Sequence, residues 1–597
     1  MKALPFNLLW KKDGSIREDA PRWAKSLAEI RKAFPSPFKE SPDRLLEQVT
    51  KGIKKLDELK QKKGGPGFLG QPEPYTPTGP DYKKARKAQL PHHDLKNLDK
   101  ILEDTVNQSV DLFKGLPNWN HPLTMPNVIP PANIAAVVAA MMTEVFSPNI
   151  IEGEYSWNVE FSELESAAML ARLIGWDPET AGGLFTFGGS GCYFYGMKYA
   201  LTRVLGQESR FKGIRTDGKI LVSQQGHYCK LNSSDWTGLG MDHVIDIETD
   251  PETNVMDIIQ LERVMEKLYK EGTPIISIIC TMMTTDTNAV DPVKQVREMV
   301  EKYPNPHGYG RPFIYCDAVC GWSWLTFKDY DFENNPLEFS PGVLPEIKKN
   351  SEAIKDIVYA DAVGCDFHKL GWAPYNCSLF VMKDYEEFRR LMSRPGSDYL
   401  QERTEYNPGL YTLEVSRSGS YSMAGWATLK LLGYEGFQAI LGNILETEQY
   451  LRQRLDKEEN LVCVNPDDYG FVTLFRVYPE GVNADAQYQK ELAWPDCLDE
   501  LMKHNRLQEK IADKLWKWFR EGKKFDLPEE FYDYTPYISY TSGFRATEYN
   551  RDLGNPNAMI YALKSYPMNV NIDDISIDTL IEMAKKARDL VIKEGWL

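Results

Sequence analysis

Nowhere in this 597-residue sequence is there an uninterrupted stretch of about 18 apolar residues, the length a helix needs to cross a bilayer. The N-terminus (MKALPFNLLWKKDG) holds an apolar run too short for the core of a signal peptide and passes straight into charge. The expectation is a soluble, cytoplasmic protein with no membrane partner. The nine cysteines include no CxxC pair and their number is odd, so neither a disulfide framework nor a zinc ribbon is indicated, and a reducing compartment fits. Cys316 and Cys320 have a metal-like spacing but no accompanying His-rich or second Cys pair, so they read as packing cysteines and no metal is expected. Excess positive charge is missing as well. At a net charge of −16 the general field repels nucleic acid and anionic membranes. The one Lys-rich stretch, 51–63, is interleaved with Asp57 and Glu58 and reads as a solvated helix face, so no nucleic-acid partner is expected. The glycine-rich turn at 186–192 has the spacing of neither a Walker loop nor a full dinucleotide GxGxxG.

What is present suits a large folded protein. Hydrophobic residues make up 42% of the chain and there are 14 tryptophans, ample for a core. A prior of roughly 150 residues per domain suggests several units. Residues 1–80 are Lys-rich and end in a Pro/Gly connector over 64–80. Helical spacing begins at Leu98, and a helix over 131–146 (PANIAAVVAAMMTEVF) is apolar nearly all round, which predicts burial, with another subunit as one cover. From 160 to 385, helical stretches alternate with β-rich runs at 184–187, 220–223, 274–280, 313–316, 362–365 and 378–382, the 362–365 run being preceded by further strand-like residues from 357. That alternation predicts an α/β fold with a mostly parallel sheet, in which ligands sit beyond the carboxyl ends of strands. Helices over 423–432 and 436–455, strands at 461–464 and 472–477 and a helix over 577–592 then read as a smaller C-terminal α/β domain. The expected division is 1–110, a helical N-terminal extension; 111–420, a large domain; and 421–597, the small domain.

Chemistry-bearing residues recur at the strand ends. Thr186-Phe187-Gly188-Gly189-Ser190-Gly191-Cys192 joins a strand to a helix, where glycines let backbone N–H groups approach a phosphate, although such a turn is also often only a turn. The 220–223 strand ends at Gln225-Gly226-His227, placing an imidazole where it can stack on a planar ring or serve as a structural hydrogen-bonding histidine. Thr281, Thr284, Thr285 and Asp286 follow the next strand and suit either cofactor binding or polar turn chemistry. Asp317 ends a run that should be buried, where an unpaired carboxylate is costly. In Asp366-Phe367-His368-Lys369-Leu370-Gly371 a lysine follows a strand, where it can form a Schiff base. An acid for a protonated pyridine and an amine for an aldehyde are the two requirements of pyridoxal 5'-phosphate.

Over roughly residues 95–435 these pieces resemble the group II pyridoxal-phosphate decarboxylases, a fold-type I family. The resemblance is carried by Ser162-Glu163-Leu164-Glu165, the Gly188–Cys192 turn, Gln225-Gly226-His227, Asp317-Ala318-Val319 and His368-Lys369. Asp366-Phe367-His368-Lys369 and Ser416-Arg417-Ser418-Gly419 are similar to the branch with tyrosine/aspartate decarboxylases and sphingosine-phosphate lyase, rather than the animal aromatic decarboxylases with Asn-Pro-His-Lys. The resemblance implies Lys369 in covalent linkage to the cofactor, Asp317 on the pyridine nitrogen, His227 and Val319 on the two ring faces, and Ser190, Gly191, Cys192 and His368 near the phosphate. It also implies Arg417 near the substrate or the phosphate, and His121 resembles a family position near the substrate, although it also suits a structural role; of the polar residues after the 274–280 strand, Thr284 is taken as the cofactor contact. This chain departs from the family at Cys192-Tyr193, where a small polar pair is usual, and at Val319, where alanine is usual.

The reaction expected from this resemblance is decarboxylation of an L-amino acid to an amine and CO2. The family draws the returning proton from a tyrosine on a mobile loop, which nominates Tyr399 and then Tyr406 in the loop-like stretch 393–409. An aromatic, tyrosine-like substrate is preferred, with Trp119, Trp157 and Trp372 as candidate pocket residues. The alternatives are an acidic amino acid such as aspartate or glutamate, a carbon–carbon lyase of the sphingosine-phosphate type, and a catalytically silent scaffold. A homodimer is expected because fold-type I sites usually form at a dimer interface.

Overall fold

Short, continuous apolar runs build the central sheet, because a strand covered by helices on both faces has no polar side. The computed structural model describes residues 16–35, 39, 43–62, 64–70, 82–394, 400–550 and 555–595. Its first seven strands are β1 (Gly182–Thr186), β2 (Lys219–Ser223), β3 (Val244–Ile247), β4 (Ile275–Thr281), β5 (Phe313–Asp317), β6 (Ala362–Asp366) and β7 (Ser378–Met382). They form one sheet in the order β1-β7-β6-β5-β4-β2-β3, and only β7 runs against the others. This is the mostly parallel sheet the alternating pattern predicts. Strands β4, β5, β6 and β7 are buried along their whole length. The register sets Thr281 beside Asp317, Asp317 beside Gly364, Asp366 beside Ser378 and Ser378 beside Thr186. Residues from five strands thereby reach one edge.

The helix Gly189–Leu205 lies close on this sheet, and small residues allow it. A Cβ at Gly191 would come within 2.3 Å of Thr186 Oγ1, and one at Gly364 within 2.3 Å of the Tyr315 hydroxyl. The run from Ile357 differs from expectation: Lys355–Tyr359 is a 3-10 turn and the strand begins at Ala362. Side chains satisfy that turn in place of a neighbouring strand, with Trp176 Nε1 donating to Val358 O (2.9 Å) and Arg297 Nη2 to Tyr359 O (2.8 Å).

A second, antiparallel sheet has the order β10-β11-β9-β8, from β8 (Leu461–Cys463), β9 (Thr473–Val477), β10 (Ser539–Ala546) and β11 (Met559–Ser565). The sequence pattern did not announce β3, a half-exposed edge strand of four residues, β10, whose alternation is broken by an irregularity between Thr541 and Arg545, or β11. The helical stretch Ser420–Leu455 breaks at Gly433 (φ 54°, ψ −158°), matching the two helices expected there. Its residues share one apolar core with both sheets, Leu441 and Leu445 lying in the same cluster as Ile278 and Leu474.

The chain separates into two compact units, 1–121 with 517–535, and 122–516 with 536–597. In the first unit, segment 517–535 is tied in by Arg520 Nη1 donating to Gly115 O (2.6 Å) and by Phe519 meeting Phe68 edge-on.

The helix Ile134–Phe146 is not buried all round. Ala136, Ala139 and Thr143 are buried, whereas Ile134 (82% exposed), Val138, Met142 and Phe146 (86%) face outward. Among the described residues no helix is long and apolar enough to cross a membrane. All nine cysteines are free thiols.

Candidate active site

The turn after β1 opens the helix Gly189–Leu205 without a side-chain cap, since Gly188 holds the N-cap position at φ +89°. That left-handed conformation suits glycine, and it leaves the helix start with its partial positive charge free for an anion. A Cβ at Gly189 would lie 3.0 Å from Val319 Cγ1 and 3.2 Å from both Asp366 carboxylate oxygens, and one at Gly188 would lie 4.0 Å from His368 Cε1. The turn, the segment after β5 and the lysine segment therefore meet at one place. Ser190 Oγ and Cys229 Sγ, 3.2 Å apart, bring in the loop after β2 that carries His227.

Asp317 is buried at the end of β5, and burial pushes its carboxyl up from the ordinary range, against the pull of His227 and a hydrogen bond from Tyr193. Its Oδ2 accepts the Tyr193 hydroxyl at 2.7 Å, and its Oδ1 accepts Val319 N at 3.3 Å. Tyr193 is a site residue that the sequence marks only as a departure from the usual small polar pair. The helix orients it to Asp317 and so explains the departure. His227, lowered by burial, feels the charges of Asp317, Lys369 and Asp366. Beside Asp317 in register, the buried Thr281 hydroxyl has no hydrogen-bond partner. Asp291 fixes the Thr281 backbone, accepting its N–H at 2.7 Å.

The segment after β6 centres on Asp366, to which the sequence reading assigned no role. Its Oδ1 accepts Ser378 Oγ (2.6 Å), and its Oδ2 pairs with Lys369 Nζ (3.0 Å) and His368 Nε2 (3.3 Å). Burial would weaken the hold of Lys369 on its proton, but the Asp366 carboxylate outweighs it and raises the amine above the ordinary lysine value. Burial lowers His368, whose ring lies 4.1 Å from that of Tyr375. Cys192 is fully buried behind the turn, its thiol pushed up by burial.

Other expected residues lie elsewhere. Thr284 is taken up by its own turn: its hydroxyl contacts Thr287 Oγ1 (2.6 Å) and accepts Ala289 N (3.0 Å), so Thr281 carries the free hydroxyl instead. Arg417 is buried against Glu163, donating from Nη1 to Oε2 (2.7 Å) and from Nη2 to Oε1 (2.9 Å), and is thereby committed to an internal ion pair. Tyr406 is buried beside that pair with its hydroxyl donating to Glu163 Oε1, which is no place for a mobile proton donor. Tyr399 lies outside the described residues. His121 and Trp119 belong to the first unit, where His121 N donates to Asn118 O (2.8 Å). Trp372 is buried with Nε1 donating to Met568 O (3.2 Å), and Trp157 is largely exposed.

A cavity of about 720 Å3 opens beside Ser190 and Cys229. Rings of Phe194, Tyr195, Trp236 and Tyr411 line it, with Lys198, Arg210 and Arg394 and, among the described residues, no carboxylate. Arg210 donates to Leu391 O (2.7 Å) and Arg394 to Thr412 O (2.9 Å), so both guanidinium groups already serve the backbone.

An uncapped helix start, a buried acid, an orphaned hydroxyl beside it and a lysine at the same edge fit a phosphorylated pyridine aldehyde. A family model described as the pyridoxal-dependent decarboxylase conserved domain matches residues 342–477. The acidic amino acid decarboxylase GADL1 of Bos taurus is 24% identical over 405 residues, covering 66% of this chain and 69% of that protein. In sequence the chain is similar to pyridoxal-phosphate-dependent amino acid decarboxylases. Another relative, an L-tyrosine decarboxylase of Enterococcus faecium, is 26% identical over 329 residues, 51% of this chain and 50% of its own length. The crystal structure of mouse CSAD shares the fold with a TM-score of 0.69 at 18% identity, over 91% of this chain and 98% of that one. The architecture is the fold-type I arrangement shared with these structures, and the crystal structure of Oryza sativa TDC, similar at a TM-score of 0.68 and 13% identity over 93% of this chain and 100% of that one, contains pyridoxal 5'-phosphate.

Proposed function

We propose that this protein releases the α-carboxylate of an L-amino acid as CO2, with a tyrosine-like aromatic side chain preferred. The observation that carries the reading is the convergence of the Gly188–Gly189 turn, Val319, Asp366 and His368 at one sheet edge, with Lys369 paired to Asp366. When bound, the cofactor supplies an aldehyde for an amine and a pyridine ring that accepts the electrons left by CO2. In this reading Lys369 provides that amine, Asp317 holds a proton at the pyridine nitrogen, and Tyr193 orients Asp317. His227 and Val319 cover the two ring faces, excluding water. The Ser190 N–H at the helix start binds the phosphate, with Gly191, whose own N–H donates to Gly188 O (2.9 Å), Cys192 and His368 around it, and the Thr281 hydroxyl takes an edge of the ring. Tyr399 is the proposed proton donor to the substrate's α-carbon.

Because Arg210 and Arg394 are engaged by carbonyls, aromatic rings dominate what the 720 Å3 cavity offers a substrate. A second reading, an acidic substrate, is favoured by Lys198, which among the described residues makes no ion pair and shares the cavity with no carboxylate. The protein is further read as a cytoplasmic homodimer. Nine free thiols suit a reducing compartment, and the outward stripe of Ile134, Val138, Met142 and Phe146 suits a second subunit.

The deciding experiment offers each of the twenty standard amino acids to the cofactor-loaded protein and measures CO2. Highest release from tyrosine, phenylalanine or tryptophan supports the proposal, and highest release from aspartate or glutamate selects the second reading. An aldehyde product without CO2 replaces both with a carbon–carbon lyase. Protein that never takes up the cofactor is a scaffold.

A further inference from the structure

Asp366 is 1% exposed and holds three partners, the Lys369 amine at 3.0 Å, the His368 imidazole at 3.3 Å and the Ser378 hydroxyl at 2.6 Å. It is the one carboxylate in ion-pair contact with Lys369 among the described residues. Ser378, opposite Asp366 in the β6–β7 register, fixes the carboxylate from behind, and the Gly189 turn packs against its front. An acid this buried has to stay paired. A lysine acts as a nucleophile only when neutral, and an anion in contact favours its charged form. The demands of pairing and of nucleophilicity therefore oppose each other on one nitrogen.

The remaining groups around the amine do not relieve that opposition. From the loop after β2, His227 is lowered by burial, as is His368 on the lysine's own segment, so neither imidazole competes as a cation. From the segment after β5, the Cys320 thiol is pushed up to about 12 by burial and stays neutral. From the loop before β7, the Tyr375 phenol is likewise raised by burial. Asp317, at the end of β5, is the second carboxylate acting on the amine, and it is engaged by Tyr193.

Resting on the reading of Lys369 as the cofactor-linked residue, we propose that Asp366 is a positioning residue that clamps this lysine as an ammonium ion in the cofactor-free protein and thereby sets the pH at which the cofactor attaches. Attachment begins with one proton passing from the ammonium group to solvent. The neutral nitrogen then bonds to the aldehyde carbon, the carbonyl C–O bond breaks, and the oxygen leaves as water with the two remaining N–H hydrogens. Without the Asp366 charge, the first step takes place at lower pH.

The test uses the cofactor-free full chain at a series of pH values. An amine-selective acetylating reagent is applied, and modification of Lys369 and of the exposed Lys267 is followed by peptide mass spectrometry. In the wild type, the Lys369 midpoint should lie at least one pH unit above that of Lys267, whatever the absolute rates. In Asp366→Asn it should fall by at least one unit, and uptake of pyridoxal phosphate at pH 7, followed by absorbance, should start about tenfold faster. A wild-type Lys369 midpoint equal to that of Lys267 overturns the proposal even if the variant fails to fold, and so does an Asp366→Asn protein whose two profiles keep the wild-type position. A high Lys369 midpoint in a protein that never takes up the cofactor leaves the clamp standing and overturns the functional reading instead.

Discussion

Replacing Arg417 by methionine keeps a long apolar stem and removes the guanidinium from a site where Glu163 has no exposure to water. Glu163 would retain only neutral donors, Phe185 N at 2.6 Å on Oε2 and the Tyr406 hydroxyl on Oε1. Breaking a buried ion pair by deleting one partner costs about 3–5 kcal/mol. The Phe185 carbonyl, which accepts Arg417 Nη1 at 3.2 Å, would lose that donor, adding about 1 kcal/mol. A loss of about 4–6 kcal/mol at neutral pH is therefore expected. The stranded carboxylate should take up a proton more readily than it does unfolded, where glutamate titrates near about 4.3. The folded variant then binds more protons than its unfolded chain, so the loss should shrink as pH falls toward that value. Glu163→Gln combined with Arg417→Met removes the stranded charge and should recover at least half of the loss. Urea unfolding followed by far-ultraviolet circular dichroism, as a double-mutant cycle repeated at pH 5 and pH 8, measures each of these. The reasoning is refuted if Arg417→Met costs under about 1 kcal/mol, or if its loss is the same at both pH values and the double variant recovers nothing. A large rise in KM with unchanged unfolding would instead return Arg417 to the substrate.

Lys369→Ala should abolish the visible absorbance of the cofactor-loaded protein, and an unchanged spectrum would reject Lys369 as the attachment point. Asp317→Asn should weaken cofactor binding at least tenfold by equilibrium dialysis, since the amide cannot hold a proton at the pyridine nitrogen; equal affinity would remove Asp317 from that role. Asp291, buried and pushed up to about 6, binds a proton more tightly folded than unfolded, so its contribution should be greatest below about pH 4 and be lost as pH rises to 6. The shift corresponds to about 3 kcal/mol, and urea midpoints of wild type and Asp291→Asn should diverge across that window; parallel profiles would show that Asp291 does not titrate there. Met142→Asp with Phe146→Asp should convert the proposed dimer to monomer in light scattering, and a dimer that persists would place the interface elsewhere.

Much of the fold was written into local pattern. Strands buried on both faces need unbroken apolar runs, and the residues that stop them, Gly188, His227, Asp317 and the Asp366–Lys369 segment, stand out because they are polar or small where the run ends. That made the order of the site readable along the chain. Partners were another matter. Arg417 and Glu163 are 254 positions apart and Tyr193 and Asp317 are 124 apart, so no local pattern reports that one pair is an internal ion pair and the other a hydrogen bond within the site. Which threonine keeps a free hydroxyl was also undecided, because Thr284 is satisfied only by the particular turn that brings Thr287 and Ala289 to it. The sequence by itself determined where strands end and which chemistry stands there, since burial and turn formation act on neighbours. Only the tertiary structure decided which of those groups are spent on one another and which remain free for a ligand, since a buried charge or hydroxyl is satisfied by whatever the fold brings to it.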